Sequence, residues 1–134
     1  MGDQGFHIQA CWDFGQDERP PYPAVHVQIS PIAKQSFKMV ICKVDTGFNG
    51  VLSLSDEVVK DLGLKPYGTI LATTATNIVE VPIYRVLLTQ EEMKIRMRQT
   101  TALGTRRSLA GRMLLANNPW LLDFVSNKFC LLTP

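Results

Sequence analysis

Apolar and polar side chains alternate with a period of two along most of this chain, and that period is the spacing of a β-strand. Alternation is clearest at 6–14, 25–29 and 93–98, and the apolar segments 37–44 and 78–88 have the same strand-like composition. With 134 residues, 46% apolar and 19% charged, the chain can bury a core without metal or disulfide cross-links. We therefore predict an all-β fold.

A single segment combines helical spacing with helix end signals. Ser55 is placed as an N-cap, acidic residues follow it, and Gly63 is placed as a C-cap, which predicts one short helix. The polar, proline-rich segment 15–23 interrupts the strands. It separates an N-terminal extension with an added strand, 1–23, from a main domain, 24–134. Further predicted elements are strands at 51–54 and 69–72, a helical turn at 112–116 and a closing hairpin from 120–124 and 129–132.

The cysteines and histidines carry no metal-binding pattern. Cys11, Cys42 and Cys130 are odd in number, far apart and set in apolar segments, so we predict reduced core thiols in a cytoplasmic protein. His7 and His26 have no second ligand at metal spacing, so we predict no metal and no cofactor. No signal peptide is recognised, no apolar run approaches the roughly 20 residues of a membrane span, and we expect no membrane partner. The net charge of +2 is too small to imply a nucleic-acid partner by itself, and we expect none.

The residues with the clearest chemical meaning are Asp45-Thr46-Gly47, directly after the apolar segment 37–44. A carboxylate at the end of a buried strand is costly unless it is hydrogen-bonded or shares a proton. The Thr46 hydroxyl and nearby glycine amides can supply such bonds, although an isolated turn aspartate would look the same. Peptide hydrolysis by carboxylates needs two of them in contact. Because the chain has one Asp-Thr-Gly, the second carboxylate must come from another copy of the chain, related by two-fold symmetry.

A second motif makes a chance tripeptide a poor explanation. The segment 109–115 reads LAGRMLL, and a Leu-Asp-Phe triplet follows at 122–124. Together with the strand before Asp45, the apolar 51–54 segment and a hairpin at 69–84, this chain resembles the retroviral-type, or retropepsin-like, aspartic protease family. Within that family it resembles the prokaryotic and archaeal single-domain members, and the resemblance covers about residues 24–132.

The resemblance implies a closed, barrel-like acid protease domain that works as a homodimer on an extended peptide or protein substrate. It implies an aspartic endopeptidase in which Asp45 is catalytic, Thr46 braces the two loops across the dimer axis and Gly47 closes the turn. No metal or organic cofactor is implied. Gly111 would let a strand cross the active-site loop, with Arg112 as support. The implied substrate-binding residues are Phe48 and Asn49 after the motif, and the flap tip Thr73, Thr74, Ala75, Thr76 and Asn77.

The chain departs from the family at three places. Phe48 stands where many members have alanine, Asn49 would offer Arg112 a neutral amide instead of a carboxylate, and the flap tip 73–77 has no glycine. A peptide-binding module that has lost turnover is therefore the alternative function. A nucleic-acid-associated β-barrel, suggested by the basic residues between 94 and 112, is more distant. Which terminus builds the dimer interface stays open.

Overall fold

Strands dominate the computed structural model, which describes residues 5–134, as the period of two predicts. Within these residues, helices are confined to two short segments. The elements are β1 His7–Asp13, β2 Ala24–Pro31, β3 Lys38–Val44, β4 Leu52–Ser55, α1 Asp56–Leu62, β5 Gly68–Thr73, β6 Ile78–Gln90, β7 Ile95–Thr105, β8 Leu109–Ala110, α2 Arg112–Leu115, β9 Trp120–Asp123 and β10 Lys128–Thr133.

Six strands form a closed barrel in the order β2-β3-β8-β4-β7-β6, and β6 returns to pair with β2. Two contacts in it are parallel, β3 with β8 and β4 with β7, and the remaining ladders are antiparallel. Strand β5 pairs with β6, and among residues 5–134 with no other strand, so the two extend from the barrel as a hairpin. The closed barrel confirms that part of the prediction. Its interior is filled by aliphatic side chains that are fully buried, among them Val25, Val27, Ile29, Leu52, Leu54, Val86 and Leu88.

The helix ends were predicted correctly because they depend on local bonds. The Ser55 hydroxyl accepts a hydrogen bond from the Val58 N–H at 3.3 Å, and Gly63 ends α1 in the left-handed conformation with φ of 63°. The second predicted turn forms as α2. Among residues 5–134, no helix has the length and apolar character needed to cross a bilayer.

A second sheet, in the order β1-β10-β9, brings both ends of the described chain together. Cys11 and Cys130 lie opposite each other in the β1–β10 ladder and form a disulfide, so the predicted reduced thiols are wrong for both. Their separation of 119 residues hid the pairing, because it depends on the register between the two terminal strands. Cys42 is free and buried, and burial raises the pKa of its thiol to about 12. The cytoplasmic location, which relied partly on reduced cysteines, stays a prediction.

The 93–98 alternation predicted a strand that begins too early. Lys94 has a positive φ of 59°, so residues 91–94 form a turn and β7 starts at Ile95. Met93 is buried from that turn, where its N–H donates to the Gln90 side chain at 3.1 Å. Strand β3 is central, as its apolar composition predicted, but Met39 and Ile41 on its outer face are about half exposed.

Candidate active site

The loop after β3 is held by main-chain hydrogen bonds on the side that faces β8. The Lys43 N–H donates to the Ser108 carbonyl at 2.9 Å, and the Asp45 N–H donates to the Ala110 carbonyl at 3.0 Å. Inside the loop, the Phe48 N–H closes a turn onto the Asp45 carbonyl at 3.1 Å. The backbone on which Asp45 sits is therefore fixed by two barrel strands.

Gly111 lies where the segment after β8 crosses this loop. Its N–H donates to the Val51 carbonyl at 3.0 Å, and the next two N–H groups donate to the Phe48 and Gly50 carbonyls at 2.8 and 3.1 Å. A Cβ atom at position 111 would lie 2.1 Å from the Gly50 carbonyl oxygen, so any other residue would force the two segments apart. This is the close crossing for which the resemblance assigned Gly111.

The Asp45 carboxylate is partly exposed, and its Oδ1 accepts a hydrogen bond from the Gly47 N–H at 2.9 Å. Among residues 5–134, this is the one hydrogen bond that the carboxylate accepts from the chain, so Oδ2 has no donor there. Thr46 is exposed beside it. The Gly47 amide orients the carboxylate, which leaves one oxygen available to an incoming group.

Phe48 and Asn49, the two residues after the motif, differ in exposure. The Phe48 ring is partly buried against the crossing, because Cβ atoms at Gly50 or Gly111 would each lie 2.7 Å from it. Asn49 is exposed, and so is Arg112. Within the described residues the Arg112 side chain forms no hydrogen bond or ion pair, so the expected Arg112–Asn49 bond is absent. Arg112 supports the loop through its backbone N–H alone.

An apolar cavity of about 370 Å³ opens next to Thr46. Its walls come from the loop, from α2 and from the second sheet, so it joins the candidate catalytic residues to the terminal strands. The lining residues are Val44, Thr46, Arg112, Leu115, Ala116, Trp120, Leu122 and Phe129. Trp120 is fixed there by stacking on Phe129, with ring centroids 4.6 Å apart, and by donating its indole N–H to the Leu115 carbonyl at 2.9 Å.

The predicted flap tip, residues 73–77, lies at the end of the β5–β6 hairpin, and all five residues are exposed. A threonine organises the turn in place of glycine. The Thr74 hydroxyl donates to the Asn77 carbonyl at 3.0 Å and accepts from the Asn77 N–H at 3.0 Å and the Thr76 N–H at 3.4 Å. In the part of the chain that the structure describes, no hydrogen bond joins this tip to the Asp45 loop.

Sequence reasoning missed a clamp formed by the proline-rich segment. Two cations contact the Tyr22 ring, with Lys43 Nζ 4.9 Å and the Arg107 guanidinium 4.7 Å from its centroid. Glu18 forms ion pairs with both cations, and Asp17 lies 3.7 Å from Arg107. The clamp holds Lys43, two positions before Asp45, and Arg107, three positions before Ala110, and it neutralises part of the basic 94–112 segment. Only the aromatic and acidic residues in an otherwise turn-like segment could have hinted at it.

Within the clamp, the pKa values of Asp17 and Tyr22 are shifted in opposite directions. The Tyr22 hydroxyl donates to the Asp17 carboxylate, which lowers the pKa of Asp17. Burial, with a smaller contribution from the same bond, raises the pKa of Tyr22. Both effects favour a protonated tyrosine beside an ionised aspartate at neutral pH.

The chain matches no protein-family model, no curated protein and no solved structure. The retropepsin-like family therefore remains a resemblance, based on the two motifs, the 51–54 segment and the 69–84 hairpin. The structure brings the 45–47 and 109–113 motifs into hydrogen-bonded contact, and it leaves the hairpin tip without hydrogen bonds to them among the described residues.

Proposed function

We propose that this protein is an aspartic endopeptidase whose active site is completed by a second copy of the chain. The observation that supports this proposal best is the crossing at Gly111, where residues 111–113 donate three backbone hydrogen bonds to the segment that contains the Asp45 loop. These bonds hold one partly exposed carboxylate, oriented by the Gly47 N–H, directly after the barrel strand β3. A second motif in contact with the first also distinguishes this loop from an ordinary turn aspartate.

In the proposed mechanism, Asp45 from each copy approaches the other across a two-fold axis. Two carboxylates in contact share one proton, so one acts as general base and the other as general acid toward a single water. The water attacks the carbonyl carbon of a peptide bond, and the acid protonates the departing amine. Thr46 at the exposed side of the loop would brace the two copies, and the β5–β6 hairpin would cover an extended peptide by strand-type hydrogen bonds.

Asp45→Asn tests the catalytic role. We expect cleavage of a mixture of extended peptides at mildly acidic pH to fall by about 10²–10⁴-fold, the range for removing general acid–base catalysis. Asp61→Asn, which changes an exposed carboxylate on α1, is the matched control and should leave cleavage unchanged. Equal cleavage by Asp45→Asn and the wild-type chain would reject the mechanism.

A second candidate function is peptide binding without turnover, and the hairpin tip favours it. Because the Thr74 hydroxyl occupies the Thr76 and Asn77 N–H groups, those amides are not free to bind a substrate carbonyl directly or through water. Isothermal titration with uncleaved peptides distinguishes the two functions. Saturable binding to an intact dimer with no cleavage product by mass spectrometry would select the binding module.

A further inference from the structure

We propose that the second copy docks against the free edge of β9, so that the two β1-β10-β9 sheets become one continuous sheet with no strand exchanged. This inference rests on the proposed function, because the Asp45 half-site needs a partner. It goes further by identifying the surface and by excluding an exchange of terminal strands between the two copies.

Strand β10 has no edge left for a partner. Strand β1 pairs with it from His7 to Asp13 on one side, and β9 pairs with it from Trp120 to Asp123 on the other. The Cys11–Cys130 disulfide joins β1 to β10 within the chain. If β1 were exchanged with a partner, this disulfide would link two chains instead of closing one.

The two outer edges of the sheet differ in character. Beside β1, the Gln9 side chain donates to the Glu92 carbonyl at 3.0 Å, so the 91–94 turn lies next to that strand. Strand β9 has no strand on its outer side in residues 5–134, and its Leu121 and Leu122 are 39% and 47% exposed. The four residues of β9 include one charge, Asp123, but no lysine, proline or bulge, so its edge is open to pairing with another strand. The apolar surface continues into Phe124 and Val125, which are 67% and 96% exposed.

The position of β9 also fits the symmetry that the Asp45 loop requires. Leu122 lines the same apolar cavity as Thr46, so the β9 edge lies beside the loop that must meet its symmetry mate. A two-fold contact is self-complementary, so β9 would pair antiparallel with its own copy. The Leu121–Leu122 pair would then meet the same pair across the axis, and the cavity beside Thr46 would be closed by the partner.

The location of the disulfide gives the sharpest test. We expect the native dimer, unfolded in denaturant without reductant, to give a single-chain mass that contains one internal disulfide. A covalently linked dimer that reductant separates would show exchange of β1 and overturn the inference, while leaving the Asp45 mechanism intact.

A matched pair of edge variants tests the surface itself. Leu122→Lys should raise the dimer dissociation constant by about 30-fold or more, as for an interface hot spot. Ile8→Lys, at the β1 edge where Ile8 is 61% exposed, should change it by less than about threefold. Cleavage by Leu122→Lys should recover at high protein concentration, because its Asp45 is unchanged.

The reverse ranking, with Ile8→Lys dissociating the dimer and Leu122→Lys sparing it, would overturn the inference alone. A wild-type chain that stays monomeric by sedimentation at micromolar concentration would overturn both the inference and the two-copy site. Loss of cleavage in Asp45→Asn is measured independently, so the two failures can be told apart.

Discussion

The floor of the candidate site, which comprises residues 43–51 and 108–113, and the β5–β6 hairpin are stabilised in different ways. In the floor, backbone groups of 43–51 and 108–113 bond to each other, and Leu52 and Ala110 beside them are fully buried. At the hairpin tip, the turn is closed by one backbone bond, from the Thr74 N–H to the Asn77 carbonyl at 2.7 Å, and by the exposed hydroxyl of Thr74. Leu71 and Ile78 near that tip are 73% and 67% exposed. Regions with few buried contacts open most easily, so the floor can position a catalytic group while the hairpin moves.

The largest expected difference is in the free energy of unfolding, between alanine substitutions at Gly111 in the floor and at Gly68 in the hairpin. Gly111→Ala places a methyl 2.1 Å from the Gly50 carbonyl oxygen, so we expect a loss of about 3 kcal/mol or more in the free energy of unfolding. Gly68→Ala at the hairpin base meets nothing closer than the Ile83 side chain at 3.7 Å. It should be neutral, or stabilise by about 0.5 kcal/mol because alanine loses less backbone entropy. Urea unfolding measures both, and equal losses would mean that the floor is no tighter than the hairpin.

Next in size is a buried hydroxyl of the floor. Ser53 is fully buried, donates to the Arg107 carbonyl at 2.8 Å and accepts from the Leu109 N–H at 3.1 Å. Ser53→Ala removes both bonds: the Leu109 N–H loses this acceptor, whereas the Arg107 carbonyl keeps the hydrogen bond from the Thr105 hydroxyl at 2.6 Å. We expect a loss of about 1–2 kcal/mol by urea unfolding. A change below a few tenths would show that the β4–β8 contact does not depend on this hydroxyl.

The corresponding hydroxyl of the hairpin should matter less for stability and more for motion. Thr74→Ala removes three exposed hydrogen bonds, and water can replace them, so we expect a loss under about 1 kcal/mol. Amide hydrogen exchange at Thr76 and Asn77 should become faster, and Thr74→Ser should restore protection because it keeps the hydroxyl. Unchanged exchange in Thr74→Ala would contradict the side-chain origin of the turn.

The smallest effect is a difference in pH dependence between two tyrosines. Burial raises the pKa of Tyr22 in the clamp behind the floor, so its stabilising contribution is present below pH 10 and is lost as pH rises further. A hydrogen bond with Thr101 lowers the pKa of Tyr67 at the hairpin base, so its contribution has the opposite sign. Between pH 9 and 11, Tyr22→Phe should flatten the decline in stability and Tyr67→Phe should steepen it. Thermal unfolding across that range measures both slopes, and equal slopes would contradict the assignment.

Features encoded by neighbouring residues were predictable from the sequence. Ser55 and Gly63 bracket α1 through bonds to residues at most four positions away, so its ends could be placed correctly. The closing hairpin has its turn between strands only a few residues apart. The crossing at Gly111 came from two motifs together, since neither motif specifies the contact by itself.

Features that depend on register between distant strands were not predictable. Cys11 finds Cys130 because β1 pairs with β10, and Tyr22 finds Arg107 because the proline-rich segment folds back over the barrel. The residues around Cys11 and Tyr22 in the sequence do not indicate which distant residue each one contacts. Met93 shows a further limit, since a turn can bury an apolar residue at the same spacing as a strand.

The Cys11–Cys130 bond has a mechanical consequence. Because it joins positions near both ends of the chain, a pulling force applied before Cys11 and after Cys130 passes directly through the bond. The strands between them, including the whole barrel and the Asp45 loop, would carry almost none of that load. After reduction, the same force would have to be borne by the β1–β10 ladder, whose backbone bonds are the next connection between the two ends.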